Sequence, residues 1–224
     1  RAAAVEAGGP EQKPFRQPRR RFPPVPLLSA DEIEAIHETS LTILEEIGMD
    51  FLDAEARAIV QRAGGLIAPG SDRVRFDRGL ILEAIETAPS TFTLYARNPA
   101  HNLVFGGDSV IFAQVASAPN CSDLEHGRRP GSQQDFRNLV KLAQSFNIIH
   151  MTGGYPVEPV DLHAGVRHLD CIRDLAVLTD KAFHAYSLGR QRNRDAIEMT
   201  RIARGISNEQ LDREPSLISV INSS

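Results

Sequence analysis

Up to about Ala88 the apolar residues recur at helical spacing. Beyond it, short β-type runs alternate with amphipathic helices. Between Ser29 and Gly48 the residues Ile33, Ile36, Ile43, Leu44 and Ile47 fall on one helical face, with His37 at its edge. Ser29 and Glu32 are spaced as a capping box, and Gly48 is a natural terminator. A second helix is expected from Asp53 to Ala63, stopped by Gly64-Gly65. A short strand follows at Val74-Arg75-Phe76, and a third helix runs from the cap Asp77 through Leu80, Ile81 and Ile85 to Ala88. Pro89 ends it, because proline cannot continue a helix.

The stretch from Ala88 to Asp123 is where the spacing changes. It carries three β-type runs, Thr91–Tyr95, Leu103–Phe105 and Val110–Val115, punctuated by Asn98-Pro99 and Gly106-Gly107-Asp108. A loop of small and polar residues is expected from Ser117 to Asp123. Strand runs then begin near Val110, Ile148, Ala182 and Ser216. Between them lie helices at Ser132–Phe146, about His163 to Leu178 and about Asn193 to Gly205. Strands separated by helices pair in parallel through right-handed crossovers. Two architectures satisfy this, an open doubly wound sheet and a (β/α)8 TIM-type barrel. No GxGxxG follows the first strand and no GxxxxGK[ST] occurs, which removes support for nucleotide-binding open sheets. The expected fold is therefore α/β: an N-terminal α/β module followed by about the first four βα units of a barrel. The expected divisions are a flexible, basic, Pro-rich arm at 1–27, the module with its lead-in strands at 28–108, and the half-barrel at 109–224.

Composition narrows the function classes. The chain has 224 residues, a formal net charge of -4 and no broad basic face, which argues against a nucleic-acid partner. The basic cluster Arg16-Gln17-Pro18-Arg19-Arg20-Arg21 is confined to the arm and reads as a solvated leader. No apolar run reaches the roughly 20 residues that span a bilayer, and no secretory h-region is present, so a cytoplasmic location is expected. Cys121 and Cys171 are far apart and read as small semi-buried thiols rather than a disulfide or a metal site. The chain starts at Arg1 rather than methionine and stops just after a strand run, as an excerpt would.

In either architecture ligands bind at the carboxyl ends of the strands. Period-two reading places Gln114 with Phe112, His150 with Thr152, and His184 with Tyr186; Gly153-Gly154-Tyr155 forms the loop after the second strand, and Asn222 ends the fourth. His150, His184 and Tyr186 would then face a barrel lumen. Two histidines on neighbouring strands are a weak zinc signal, because such a site needs three or four ligands. No GxSxG elbow occurs. Asp170 and Asp174 read as a solvated helix face, and Asp123 with Glu125 forms no diagnostic pair.

The string Ala88-Pro89-Ser90-Thr91-Phe92-Thr93-Leu94-Tyr95-Ala96-Arg97-Asn98-Pro99, followed by Phe105-Gly106-Gly107-Asp108, resembles the signature of the trimethylamine methyltransferase family. The first helix, Leu28 through Gly48, and the tail, Pro215 through Asn222, are similar to that family too. The resemblance covers residues 28 to 224. It implies a corrinoid-dependent methyltransferase on a (β/α)8 barrel, moving a methyl group from trimethylamine or a betaine-type quaternary amine to Co(I) of a partner corrinoid protein. The corrinoid would be carried by that cognate partner, so no cofactor is expected on this chain itself, and a homo-oligomer is allowed. The family's pyrrolysine position would lie beyond Ser224, and no family catalytic residue transfers onto this stretch. A quaternary ammonium suits an aromatic face, for which Tyr155 and Tyr186 are the candidates. A betaine carboxylate suits His184, Gln114 or Asn222. Half a barrel alone is expected to be inactive, since its strand edges are unpaired. Alternatives from other classes are a non-catalytic binding protein for methylated amines and an unrelated barrel enzyme such as a metal-dependent lyase.

Overall fold

The computed structural model describes residues 11–186 and 188–221. The chain divides into two compact units, one of Phe22–Ser90 and one of Arg1–Arg21 with Thr91–Ser224. In the smaller unit, helix α1 (Ala30–Thr42) starts on the expected capping box. The Ser29 Oγ accepts the Glu32 N–H at 3.2 Å, and the Glu32 carboxylate accepts the Ser29 N–H at 2.8 Å. A π-helical turn (Ile43–Ile47) closes it, with the Gly48 N–H donating to the Ile43 carbonyl at 2.8 Å. Gly48 sits at φ 75, and a Cβ there would lie 2.2 Å from the Val74 carbonyl oxygen, so only glycine fits this stop.

The sheet that follows has three short antiparallel strands, β1 (Met49–Asp50), β2 (Leu66–Ile67) and β3 (Arg73–Arg75), in the order β1-β3-β2. Helices α2 (Ala54–Arg62) and α3 (Arg78–Glu86) carry the expected Asp53 and Asp77 caps. Leu41 and Val74 are buried. Ile33, Ile36, Ile43 and Ile47 are each about half exposed, so the apolar face read from their spacing is formed but left largely uncovered.

The larger unit opens with an antiparallel hairpin, β4 (Thr91–Leu94) and β5 (Leu103–Gly106), paired from Thr91↔Gly106 to Leu94↔Leu103. Val110–Val115 does not form the expected strand. Among the described residues it makes one isolated parallel bridge, Ala113↔Met151. The reason is a partner distant in sequence: the Phe112 N–H donates to the His150 Nδ1 at 2.9 Å instead of entering a ladder. The expected loop from Ser117 to Asp123 is half a hairpin, β6 (Asn120–Asp123) and β7 (Gly127–Pro130). Its turn is made by the Asp123 carboxylate, which accepts the N–H groups of Glu125 and His126.

Helix α4 (Gln133–Ser145), strand β8 (Met151–Thr152), helix α5 (Arg167–Leu178), strand β9 (Ala182–His184), helices α6 (Arg190–Arg204) and α7 (Asn208–Arg213) and strand β10 (Leu217–Ile218) follow. Strands β8, β9 and β10 pair in parallel in chain order, with registers Met151↔Ala182, Thr152↔Phe183 and Leu217↔Phe183. The Ala113 bridge lies beside β8, so four successive positions stand side by side without a reversal. Helices α4, α5 and α6 share one core with this sheet, built from Phe136, Val140, Cys171, Leu175, Ala196 and Phe183. The second core joins Met151 and Ala182 to Leu94, Ala96 and Leu103 of the hairpin region.

Two expectations change here. Asp174 is buried, not on a solvated face: it accepts from Arg137 at 2.7 Å and from Gln133 at 3.0 Å, tying α4 to α5. Residues 11–21 are not a free arm. The Gln17 side chain bonds both the N–H and the carbonyl of Val104, Val110 donates to the Pro18 carbonyl, and Phe15 packs against His101 and His150 with ring centroids 4.4 and 5.4 Å apart.

Candidate functional site

Parallel strands aim their carboxyl ends at one edge of the sheet, where Gly153–Pro156 follow β8 and Ala185 and Tyr186 follow β9. A cavity of about 310 Å³ opens beside them, lined by Ser117, Tyr155, Glu158, His168, Tyr186 and Arg192 among others. The Tyr186 ring meets Tyr155 edge-on at 4.7 Å and His184 at 5.3 Å. Its hydroxyl lies 2.7 Å from the Ser117 Oγ and accepts the Tyr155 N–H at 3.1 Å.

The five residues singled out from the sequence separate. Tyr155 and Tyr186 both line the cavity, but Tyr155 is only 6% exposed and its ring packs on Phe136, so Tyr186 presents the freer aromatic surface. Burial raises the Tyr155 phenol well above the ordinary tyrosine value and keeps it neutral. His184 touches Tyr186 without lining the cavity. Its Nε2 accepts the Val220 N–H at 3.2 Å, so its proton sits on Nδ1, a buried atom with no hydrogen-bond partner among the described residues. Burial holds the His184 pKa below the ordinary histidine value. Gln114 donates to the Gly154 carbonyl at 3.2 Å and lines a separate, mostly apolar cavity against α4, with its Oε1 buried and unpartnered. Asn222 lies outside the described residues.

His150 leaves the candidate lumen set. It is fully buried, accepts from Phe112 through Nδ1 and meets the Arg16 carbonyl through Nε2 at 3.1 Å, so both ring nitrogens are occupied by backbone. Among the described residues no group of three His, Cys, Asp or Glu side chains could hold a metal ion. Burial pushes the Cys171 thiol up to about 12, which makes it inert as a nucleophile.

Charge in the cavity is mixed and mostly engaged. Arg167 donates to Glu158 at 2.5 Å and to the Leu162 carbonyl. His168 bonds Asp195 at 2.9 Å, and Arg192 reaches the Ala164 carbonyl at a long 3.3 Å, which leaves its guanidinium the most available cation there. Such an arrangement can hold a cation on the Tyr186 ring and an anionic group near Arg192. Ser117, Gly154, His168 and Arg192 were not found from the sequence. Gly153-Gly154 after a strand run and the expected loop from Ser117 to Asp123 were the visible signals, and they marked regions without singling out Ser117 or Gly154.

A parallel sheet helix-covered on one face, with an aromatic and charged cavity at its carboxyl edge, is the frame of a small-molecule enzyme or binding protein. The chain belongs to the trimethylamine methyltransferase family, whose model matches residues 1–224. It is 35% identical over 202 residues to the glycine betaine methyltransferase of Desulfitobacterium hafniense strain Y51, covering 90% of this chain and 42% of that protein. It is 29% identical over 139 residues to a trimethylamine methyltransferase of D. hafniense strain DCB-2, covering 62% and 28%. Over 67 residues it is 37% identical to the proline betaine:corrinoid methyltransferase of Eubacterium limosum, covering 30% and 13%. The chain thus spans less than half the length of these relatives.

Proposed function

We propose that the whole protein transfers a methyl group from a methylated or quaternary amine to the reduced corrinoid of a partner protein, and that this chain supplies the first part of a (β/α)8 barrel. The barrel reading rests on strand order and helix placement. A doubly wound sheet reverses its order and covers both faces with helices, whereas β8, β9, β10 and the Ala113 bridge run in sequence with α4, α5 and α6 sharing a single core.

The observation that carries the functional reading is the Tyr186 ring at the carboxyl edge of a chain whose whole length matches this family. A reduced corrinoid brought by the partner would supply the electron pair that accepts the methyl group. The C–N bond breaks with its pair left on nitrogen, so a quaternary amine leaves neutral and no proton donor is needed. The protein's task is then positioning. Tyr186 holds the cationic end at roughly 0.5–2 kcal/mol for one aromatic face. Arg192 is the donor at the cavity for a carboxylate; His184, whose Nδ1 is buried away from the cavity lining, Gln114, which lines a separate cavity, and Asn222 stay candidates on the strength of the sequence alone. The test is turnover of trimethylamine and glycine betaine by the full-length protein with a Co(I) corrinoid protein. Methyl transfer supports the reading, and tight binding with no transfer would make the protein a binding module instead.

A further inference from the structure

Ser117 is the one non-glycine residue among those described whose backbone lies in the left-handed region, at φ 64. That conformation is uncommon for a side chain other than Asn or Asp, and where it persists something nearby gains from it. The gain is visible. The Ser117 N–H donates to the Tyr155 carbonyl at 2.8 Å, pinning the residue beside the loop after β8, and its Oγ stands 2.7 Å from the Tyr186 hydroxyl. The same hydroxyl accepts the Tyr155 N–H at 3.1 Å. Gly154 completes the arrangement: at φ 136 it lets the tyrosine approach, and a Cβ there would sit 2.6 Å from the hydroxyl oxygen. Two backbone segments, one carrying Ser117 and one carrying Gly154 and Tyr155, therefore converge on one phenol oxygen while Tyr186 lines the cavity.

We infer that Ser117 is a positioning residue that acts through Tyr186, its strained backbone being kept because it fixes the orientation of the ring that holds the substrate's cationic end. The inference rests on the proposed function and adds to it which residue sets substrate affinity. Ser117 itself is exposed, and an exposed hydroxyl pair contributes little to stability. Its value lies in the angle of the ring.

The test uses the full-length protein with its corrinoid partner. Ser117→Gly removes the hydroxyl but accepts the left-handed backbone freely, so Tm stays at the wild-type value or rises. KM for the methylated amine is expected to rise at least about fivefold with kcat within about twofold, because a loosened ring weakens binding of substrate and transition state alike. In a Tyr186→Phe background, Ser117→Gly is expected to change KM no further, since the hydroxyl it acts on is gone. Unchanged KM in Ser117→Gly, or an additive effect in the double variant, would overturn the inference. A wild-type protein that neither binds nor demethylates any methylated amine would overturn the proposed function and the inference together; an active wild type with an unaffected Ser117→Gly overturns the inference alone.

Discussion

The phenol of Tyr186 receives the Tyr155 N–H and the Ser117 hydroxyl on one side and offers its ring to the cavity on the other. Replacing it by alanine removes the cation's wall, and Tyr186→Ala is expected to lower kcat/KM for methyl transfer at least about tenfold. Phenylalanine keeps the ring and is expected to lose less. Gly154→Ala forces a Cβ to 2.6 Å from that hydroxyl, inside van der Waals contact, on a backbone that side chains rarely adopt, and should destabilise the protein by more than about 1 kcal/mol in denaturant unfolding. Lys181 is a second residue with a readable consequence. It is buried, and its Nζ donates to the Ala143 and Phe146 carbonyls at 2.9 and 2.8 Å, while burial lowers its pKa to about 8. The unfolded chain keeps the lysine protonated to near the ordinary value of 10.5, so between these limits the unfolded state holds more protons. Stability should therefore rise with pH across that window, by at most about 3 kcal/mol. Denaturant unfolding of Lys181→Met at matched pH values should show that rise flattened. An equal slope in both proteins would contradict the burial account.

At the scale of elements, α4 is held at both ends. Its Ser132–Asp135 capping box closes the N-terminus, and Arg129 donates to the same Asp135 at 2.5 Å. Ser132→Ala is expected to lower stability by about 1 kcal/mol. Asp174→Ala leaves Arg137 and Gln133 without their shared acceptor between α4 and α5, and should cost about 3 kcal/mol by the same measurement. Caps and helix faces were legible in the sequence because they are local: Ser29, Asp53, Asp77 and Ser132 each act within three residues. What escaped was decided by distant partners. Val110–Val115 has the composition of a strand, but His150 takes the Phe112 N–H across 38 positions of chain. Asp174 sits on its helix where a solvated residue would, yet Arg137 folds over it. The 11–21 part of the expected arm reads as disordered by composition, yet Phe15 and Gln17, among others, find partners more than 80 residues away that fix it. Tyr186 was found at the site because strand ends are predictable; Ser117 was not, because nothing in a serine announces a left-handed backbone.

At the scale of the molecule, strand order, helix placement and family membership lead to one reading. Four successive parallel positions without reversal are the order the proposed barrel requires, and the relatives are more than twice as long as this chain, with 42% of the glycine betaine methyltransferase matched. The helix α1 face at Ile33, Ile36, Ile43 and Ile47 remains open within its own unit. The most direct measurement is a methyl-transfer assay of the full-length protein, following the corrinoid absorbance change with trimethylamine or glycine betaine as donor and a Co(I) corrinoid protein as acceptor. Substrate-dependent conversion of Co(I), lost when the full-length protein is omitted and reduced at least about tenfold in Tyr186→Ala, is the predicted result. A full-length protein that leaves Co(I) unchanged with every methylated amine offered would contradict it.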